Sequence, residues 1–283
     1  MGDPSGRRDG LRSGTIVDDT NGPSAQTLFN TISRAINDAH QETRLTYENV
    51  DASNGSLIIS SLDENPTIES ALPRLNYNSV TRTLDVYIMP TRTHDSHQTW
   101  LYKEVARMLN TNYITPAEFN ELDFMTGTTI RGFQGQYAGS IKQPDMGIVP
   151  EGEYFPTVVI ESGWTESFAR LHCDMRIWLV GSVGKVKLVL LLKWTKTAEN
   201  IVGGVVEAWD LDSAGSERLL QREIIFPGPQ EGGENQVLKI TRAQLFGSRL
   251  PAGRNPCDIF GLSLSNLRSK AANSLRIDGY RPA

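Results

Sequence analysis

The chain has 283 residues, 39% of them hydrophobic, with a formal net charge of −5, the composition of a globular protein with a sizeable core rather than a disordered one. An acidic balance argues against a general nucleic-acid coat, which needs clustered Lys and Arg, but leaves room for an enzyme that meets phosphate in one local groove. Two cysteines, Cys173 and Cys257, are too few for a disulfide framework, no secretory leader follows Met1, and no apolar run approaches the ~20 residues of a membrane helix. An intracellular protein, cytoplasmic or nuclear, without membrane attachment is expected.

Residues 1–24 mix Gly, Asp, Arg, Ser and Pro without periodicity and read as a flexible tail. Leu28, Phe29, Ile32, Ile36 and Ala39 recur at helical spacing, which predicts an amphipathic helix over Ala25 to Arg44. Leu57-Ile58-Ile59 reads as a short strand, and Leu84 to Met89 as a strand ended by Pro90. Ser96 suits the cap of a following helix with an apolar stripe of Trp100, Leu101, Val105, Met108 and Leu109. Thr128 to Phe133 and Pro144 to Val149 are expected to be neighbouring strands.

Thr157-Val158-Val159-Ile160 is a β-branched run between Pro156 and Gly163 and fits a buried central strand. A helix follows, with Thr165 as its cap, Phe168, Leu171, Met175, Trp178 and Leu179 on one face, and Gly181 as its stop. Val186 to Trp194 is again apolar. Strand, helix and strand in this order imply a right-handed crossover between two parallel strands. Further strands are expected at Ile201 to Trp209, Leu219 to Phe226 and Gln236 to Ile240, then a helical turn from Thr241 to Gly247 and a last helix over Leu262 to Leu275. The domain reading is a tail over 1–24, a core over 25–200 and a C-terminal β extension with a helix over 201–283.

Asp145 at the start of one strand and Glu161 at the end of the next can approach one another, because adjacent strands lie about 4.8 Å apart. For an isolated Pro-Asp the ordinary explanation is a turn, but a carboxylate ending a Val-Val-Ile strand needs a partner to offset its desolvation. His94, His97, His172 and Cys173 match no standard zinc spacing. Lys185, Lys187, Lys193 and Lys196 read as a solvated rim or a nucleic-acid groove, and the tryptophans as packing.

The stretch KQPDMGIVPEGEYFPTVVIESGWTESFARLHCDMRIWLVGSVGKVKLVLLLKW resembles the core of the PD-(D/E)XK, or restriction-endonuclease-like, superfamily, and LDVYIMPTRTHDSHQTWLYKEVARMLN is similar to the strand, Pro-rich turn, His and first helix of its branch of small, largely uncharacterised endonuclease-like proteins. The resemblance spans residues 84–194 and implies an α/β (α+β) fold with an αβββαβ core and a mixed sheet. It implies a metal-dependent nuclease, acting on DNA in preference to RNA, with Mg²⁺ or Mn²⁺ held by Asp145, Glu161 and the backbone carbonyl of Ser162. Glu104 is an additional candidate ligand and His97 matches the branch's helix-start histidine. The family's lysine stands two residues after the acid, where this chain has Gly163, so Arg170 or Lys187 is expected to supply the positive charge. The alternative is a degenerate nuclease-like domain that binds nucleic acid or a protein partner without cutting.

Overall fold

The computed structural model describes residues 24–40, 43–88, 92–164, 167–197, 199–230 and 232–283. The expectations for the tail, for Thr165 as a helix cap and for Met89 and Pro90 at a strand end fall outside them, Ser24 excepted. Among the described residues no helix is long and apolar enough to cross a membrane.

Helix α1 (Ala25–Asp38) starts where the Ser24 hydroxyl accepts the Thr27 N–H. It ends earlier than periodicity suggests, because the chain turns at Ala39 and enters strand β1 (Thr43–Tyr47). Leu57-Ile58-Ile59 is helical, within α2 (Ala52–Asp63), and not the expected strand. Its Ile58, Ile59 and Leu62 recur at helical spacing and are all buried. After the single-turn α3 (Pro66–Glu69) come β2 (Arg74–Asn78) and β3 (Thr83–Ile88), which with β1 form an antiparallel sheet in the order β1-β3-β2. The apolar faces of α1 and α2 share one cluster with Leu75, Leu84 and Val86 of this sheet.

Helix α4 (Ser96–Asn110) buries Trp100, Leu101, Val105 and Met108 as expected, although the cap position is Asp95. The short α5 (Pro116–Asn120) opens with a capping box between Thr115 and Glu118. Thr128 to Phe133 is not a strand; it meets the segment before Pro144 at an isolated bridge, Ile130 to Lys142, and where the Gln143 amide donates to the Thr129 hydroxyl. The strand beside β5 (Met146–Pro150) is β4 (Leu122–Met125).

Strand β5 runs antiparallel to β6 (Val158–Gly163), and β6 runs parallel to β7 (Leu188–Lys196), the crossover being α6 (Phe168–Arg176). The Ser167 hydroxyl caps α6, which continues through one turn of π-helix at Ile177–Gly181. Strands β8 (Ile201–Leu211) and β9 (Glu217–Phe226) extend the sheet through the Asp212 turn; β10 (Val237–Thr241) leads into α7 (Arg242–Phe246). Strand β11 (Ile259–Ser263) pairs with β10, and α8 (Leu264–Ile277) and the two-residue β12 (Arg281–Pro282) follow. The main sheet has seven strands, ordered β12-β8-β7-β6-β5-β4 with β9 also on β8. One of its faces packs with α4 and α8 and the other with α6. The protein is a mixed α/β fold with mixed sheets.

Candidate active site

The β5–β6 ladder pairs Met146 with Ile160. Extending that register by one residue sets Asp145 across from Glu161, and both are buried. Directly opposed residues of antiparallel strands have Cα atoms about 4.5–5.5 Å apart. The alternation that sends Val158 and Ile160 into one apolar layer and Val159 into the other puts Glu161 on the side of Val159, two residues before β6 ends, and Asp145 stands directly before β5.

Asp145 is fixed from several sides. One oxygen pairs with the Arg74 guanidinium from β2, and the other accepts the Ser162 N–H at 2.6 Å. His94 Nε2 lies 3.4 Å from that second oxygen. Arg74 also reaches Asp95 at 3.2 Å, and His94 Nδ1 reaches the same Asp95 oxygen at 2.9 Å. Arg74, Asp95, His94 and Asp145 therefore close a ring in which the basic and acidic groups alternate. Burial lowers the pKa of His94, against the raising effect of its bond to Asp95. For Asp95, burial pushes upward but the bond from His94 and the charges of the ring outweigh it, so its carboxyl stays below its ordinary value.

Glu161 is held differently. The Trp178 indole N–H donates to it at 2.5 Å. The fully buried Lys142 places its ammonium 3.5 Å from the same oxygen and 2.9 Å from Asp174 on α6. Trp178 lies in the π-helical turn, a local widening of helical register that is frequent at functional sites.

The other expected residues lie elsewhere in these networks. Ser162 gives its N–H to Asp145, its backbone also hydrogen-bonds His94, and its hydroxyl accepts the Trp194 indole N–H at 3.2 Å. Arg170 forms a two-oxygen pair with Asp85 of β3, at 2.6 and 2.7 Å. Lys187 is exposed and lines a separate cavity with Asp210, Asp212 and Gln244. Glu104 is turned toward the C-terminal helix, where it accepts from Arg107, the Ser263 N–H and the Asn266 amide. His97 Nδ1–H donates to the His94 carbonyl at 2.7 Å, and its Nε2 is buried with no hydrogen-bond partner among the described residues. Burial, and then the adjacent His94, depress its pKa to about 3.

Three members of this arrangement were invisible as such in the sequence. Arg74 and Trp178 carry no motif signal. Lys142 stands inside the PD stretch, three residues before Asp145, and that position is the one sequence signal that could have marked it.

Two hard oxygen donors on adjoining strands suit Mg²⁺ or Mn²⁺. Among the described residues no three His, Cys, Asp or Glu side chains group to hold a metal ion, so an ion here would rest on the carboxylate pair, with water or substrate oxygens completing its shell, as Mg²⁺ commonly does. Neither a scan against known protein families nor a search of curated proteins finds a match for this chain.

Proposed function

We propose that the protein is a metal-dependent phosphodiesterase of the PD-(D/E)XK type. The order α4, β4, β5, β6, α6, β7, with β5 antiparallel and β7 parallel to β6, supports a restriction-endonuclease-like αβββαβ core. The observation that carries the reading is Lys142: its ammonium stands 3.5 Å from Glu161, supplying to the acid the positive charge that Gly163 lacks. Asp145 and Glu161 then supply the two carboxylates of the reading and Lys142, from the segment before β5, its lysine.

Within this reading Asp145 and Glu161 hold Mg²⁺ or Mn²⁺, which when bound neutralises phosphate charge and lowers the pKa of water. Arg74 and the Ser162 N–H orient Asp145. The Trp178 N–H orients Glu161. Lys142 keeps a positive charge beside the scissile phosphate, and the resemblance favours DNA as the polymer. Titration calorimetry with Mg²⁺ and Mn²⁺ on the wild type, Asp145→Asn and Glu161→Gln, followed by a nuclease panel, tests it. Binding of neither ion by the wild type at millimolar concentration removes the proposal.

A second reading is a nuclease-like domain that binds nucleic acid or protein without hydrolysis. Its specific support is the closed pairing of the two carboxylates, Asp145 with Arg74 and Glu161 with Lys142, which balances their charge without an ion. Any phosphodiester turnover that disappears in Glu161→Gln rules this out.

A further inference from the structure

From the charges around the site we infer that its substrate is a short, single-stranded phosphodiester and not a duplex; this rests on the phosphodiesterase reading above. Two cavities with charged side chains in their linings approach the site. One, of about 490 Å³, is lined by Glu48, Asn49, Thr81, Asp85, Arg170 and Asp174 among others. It reaches the candidate groups through Asp174, whose carboxylate is 2.9 Å from Lys142. The other, of about 390 Å³, is lined by Arg74, Asp95, Gln98 and Gln143 among others, and leads to Asp145 through Arg74. Both volumes fall in the range of about 300–1,000 Å³ that accommodates a single small ligand.

The charges in these linings decide between substrates. Duplex DNA carries a phosphate charge about every 1.7 Å of its axis, and a protein that grips it neutralises several phosphates with Lys and Arg. Here the larger cavity sets three carboxylates, Glu48, Asp85 and Asp174, against one guanidinium, and that guanidinium is bound by Asp85. In the smaller cavity Arg74 is shared between Asp95 and Asp145. Beside the larger cavity, Arg82 pairs with Asp51 and Arg44 with Asp85. Arg44, Arg74, Arg82 and Arg170 are thus engaged by carboxylates of the protein, and a polyanion extending past the scissile phosphate meets Glu48 and Asp174. Neutral groups such as Asn49 and Thr81 suit a sugar hydroxyl or a base edge. One or two nucleotides fit these conditions; a second phosphate strand does not.

The test uses the full chain with Mg²⁺ or Mn²⁺ and compares initial rates on a dinucleotide, a short single-stranded oligonucleotide and a duplex of two helical turns. The short single strands are expected to react at least about tenfold faster than the duplex. Their rate should change less than about twofold between 50 and 200 mM salt, an interval over which 6–10 phosphate contacts cost about 10³–10⁵ in affinity. Glu48→Lys combined with Asp85→Asn, which adds one cation and releases Arg170, should raise duplex binding. Duplex cleavage equal to that of short strands, with a steep salt dependence, overturns the inference and leaves the phosphodiesterase reading standing. Absence of turnover on every substrate overturns both.

Discussion

Lys142, 1% exposed, holds its ammonium 3.5 Å from the Glu161 carboxylate. Its side chain also reaches Asp174, so one buried cation serves two acids from different elements. Removing a single partner of a buried ion pair costs about 3–5 kcal/mol, because the remaining charge is left uncompensated. Lys142→Met should therefore lower the unfolding free energy by about that amount in urea titrations. In a Glu161→Gln background the same replacement should cost clearly less. Equal losses in both backgrounds would show that the two side chains are not coupled.

Trp178→Phe keeps an aromatic ring, although a smaller one in a fully buried place, and removes the N–H that Glu161 accepts at 2.5 Å. Hydrogen bonds to charged groups contribute about 1.5–3 kcal/mol, and a loss in that range is expected by denaturation. If the phosphodiesterase reading holds, the same variant should weaken Mg²⁺ binding, since the carboxylate loses its orienting donor. Unchanged stability would mean that the indole contact is incidental.

His97 is fully buried, and its pKa is depressed to about 3 from the ordinary 6.5. Between those values the unfolded chain takes up a proton that the folded one does not. Its contribution to stability is therefore complete above pH 6.5 and is lost as the pH falls toward 3. From pH 6.5 to 5 this single group accounts for a loss of about 2 kcal/mol. His97→Asn retains a donor for the His94 carbonyl and does not titrate, so its denaturation midpoint should fall less than that of the wild type between pH 7 and 5. Parallel declines in the two proteins would contradict the assignment.

Gly55 lies inside α2, where replacing glycine by alanine ordinarily gains about 0.5–1 kcal/mol. Here a Cβ would stand 2.7 Å from the Tyr77 ring. That ring is fully buried and anchored by its hydroxyl donating to the Val50 carbonyl at 2.7 Å. The sign should reverse, with Gly55→Ala losing about 1–3 kcal/mol through overpacking. A stabilised Gly55→Ala, read by thermal unfolding, would show that α2 can shift away from β2.

The elements easiest to read in the sequence were those whose local signal and burial agree. β6 and β7 are apolar runs of strand length buried on both faces, and α6 between them has a single apolar side, so the parallel crossover followed from residues 157–194 alone. Leu57-Ile58-Ile59 points to a strand because a short apolar run has no period of its own, and Gly55 and Leu62 on the same face mark the helix. β4 and β11 are short strands whose pairing is set by partners distant in sequence. At the site, the placement of Asp145 opposite Glu161 was readable from strand order. The charges that engage them were not: Arg74 comes from a different sheet, and Lys142 from an irregular segment held by two isolated bridges, Tyr77 to Ile141 and Ile130 to Lys142.

The loop that carries His94 is tied down by a residue far along the chain: Asp278, just past α8, accepts both the Thr93 N–H at 2.9 Å and the Thr93 hydroxyl at 2.7 Å. The histidine loop and the C-terminal helix are thus one mechanical unit: fraying of the last turn of α8 would release Thr93 and loosen His94 against Asp145, so a substitution at Asp278 acts on the ring although it touches none of its members.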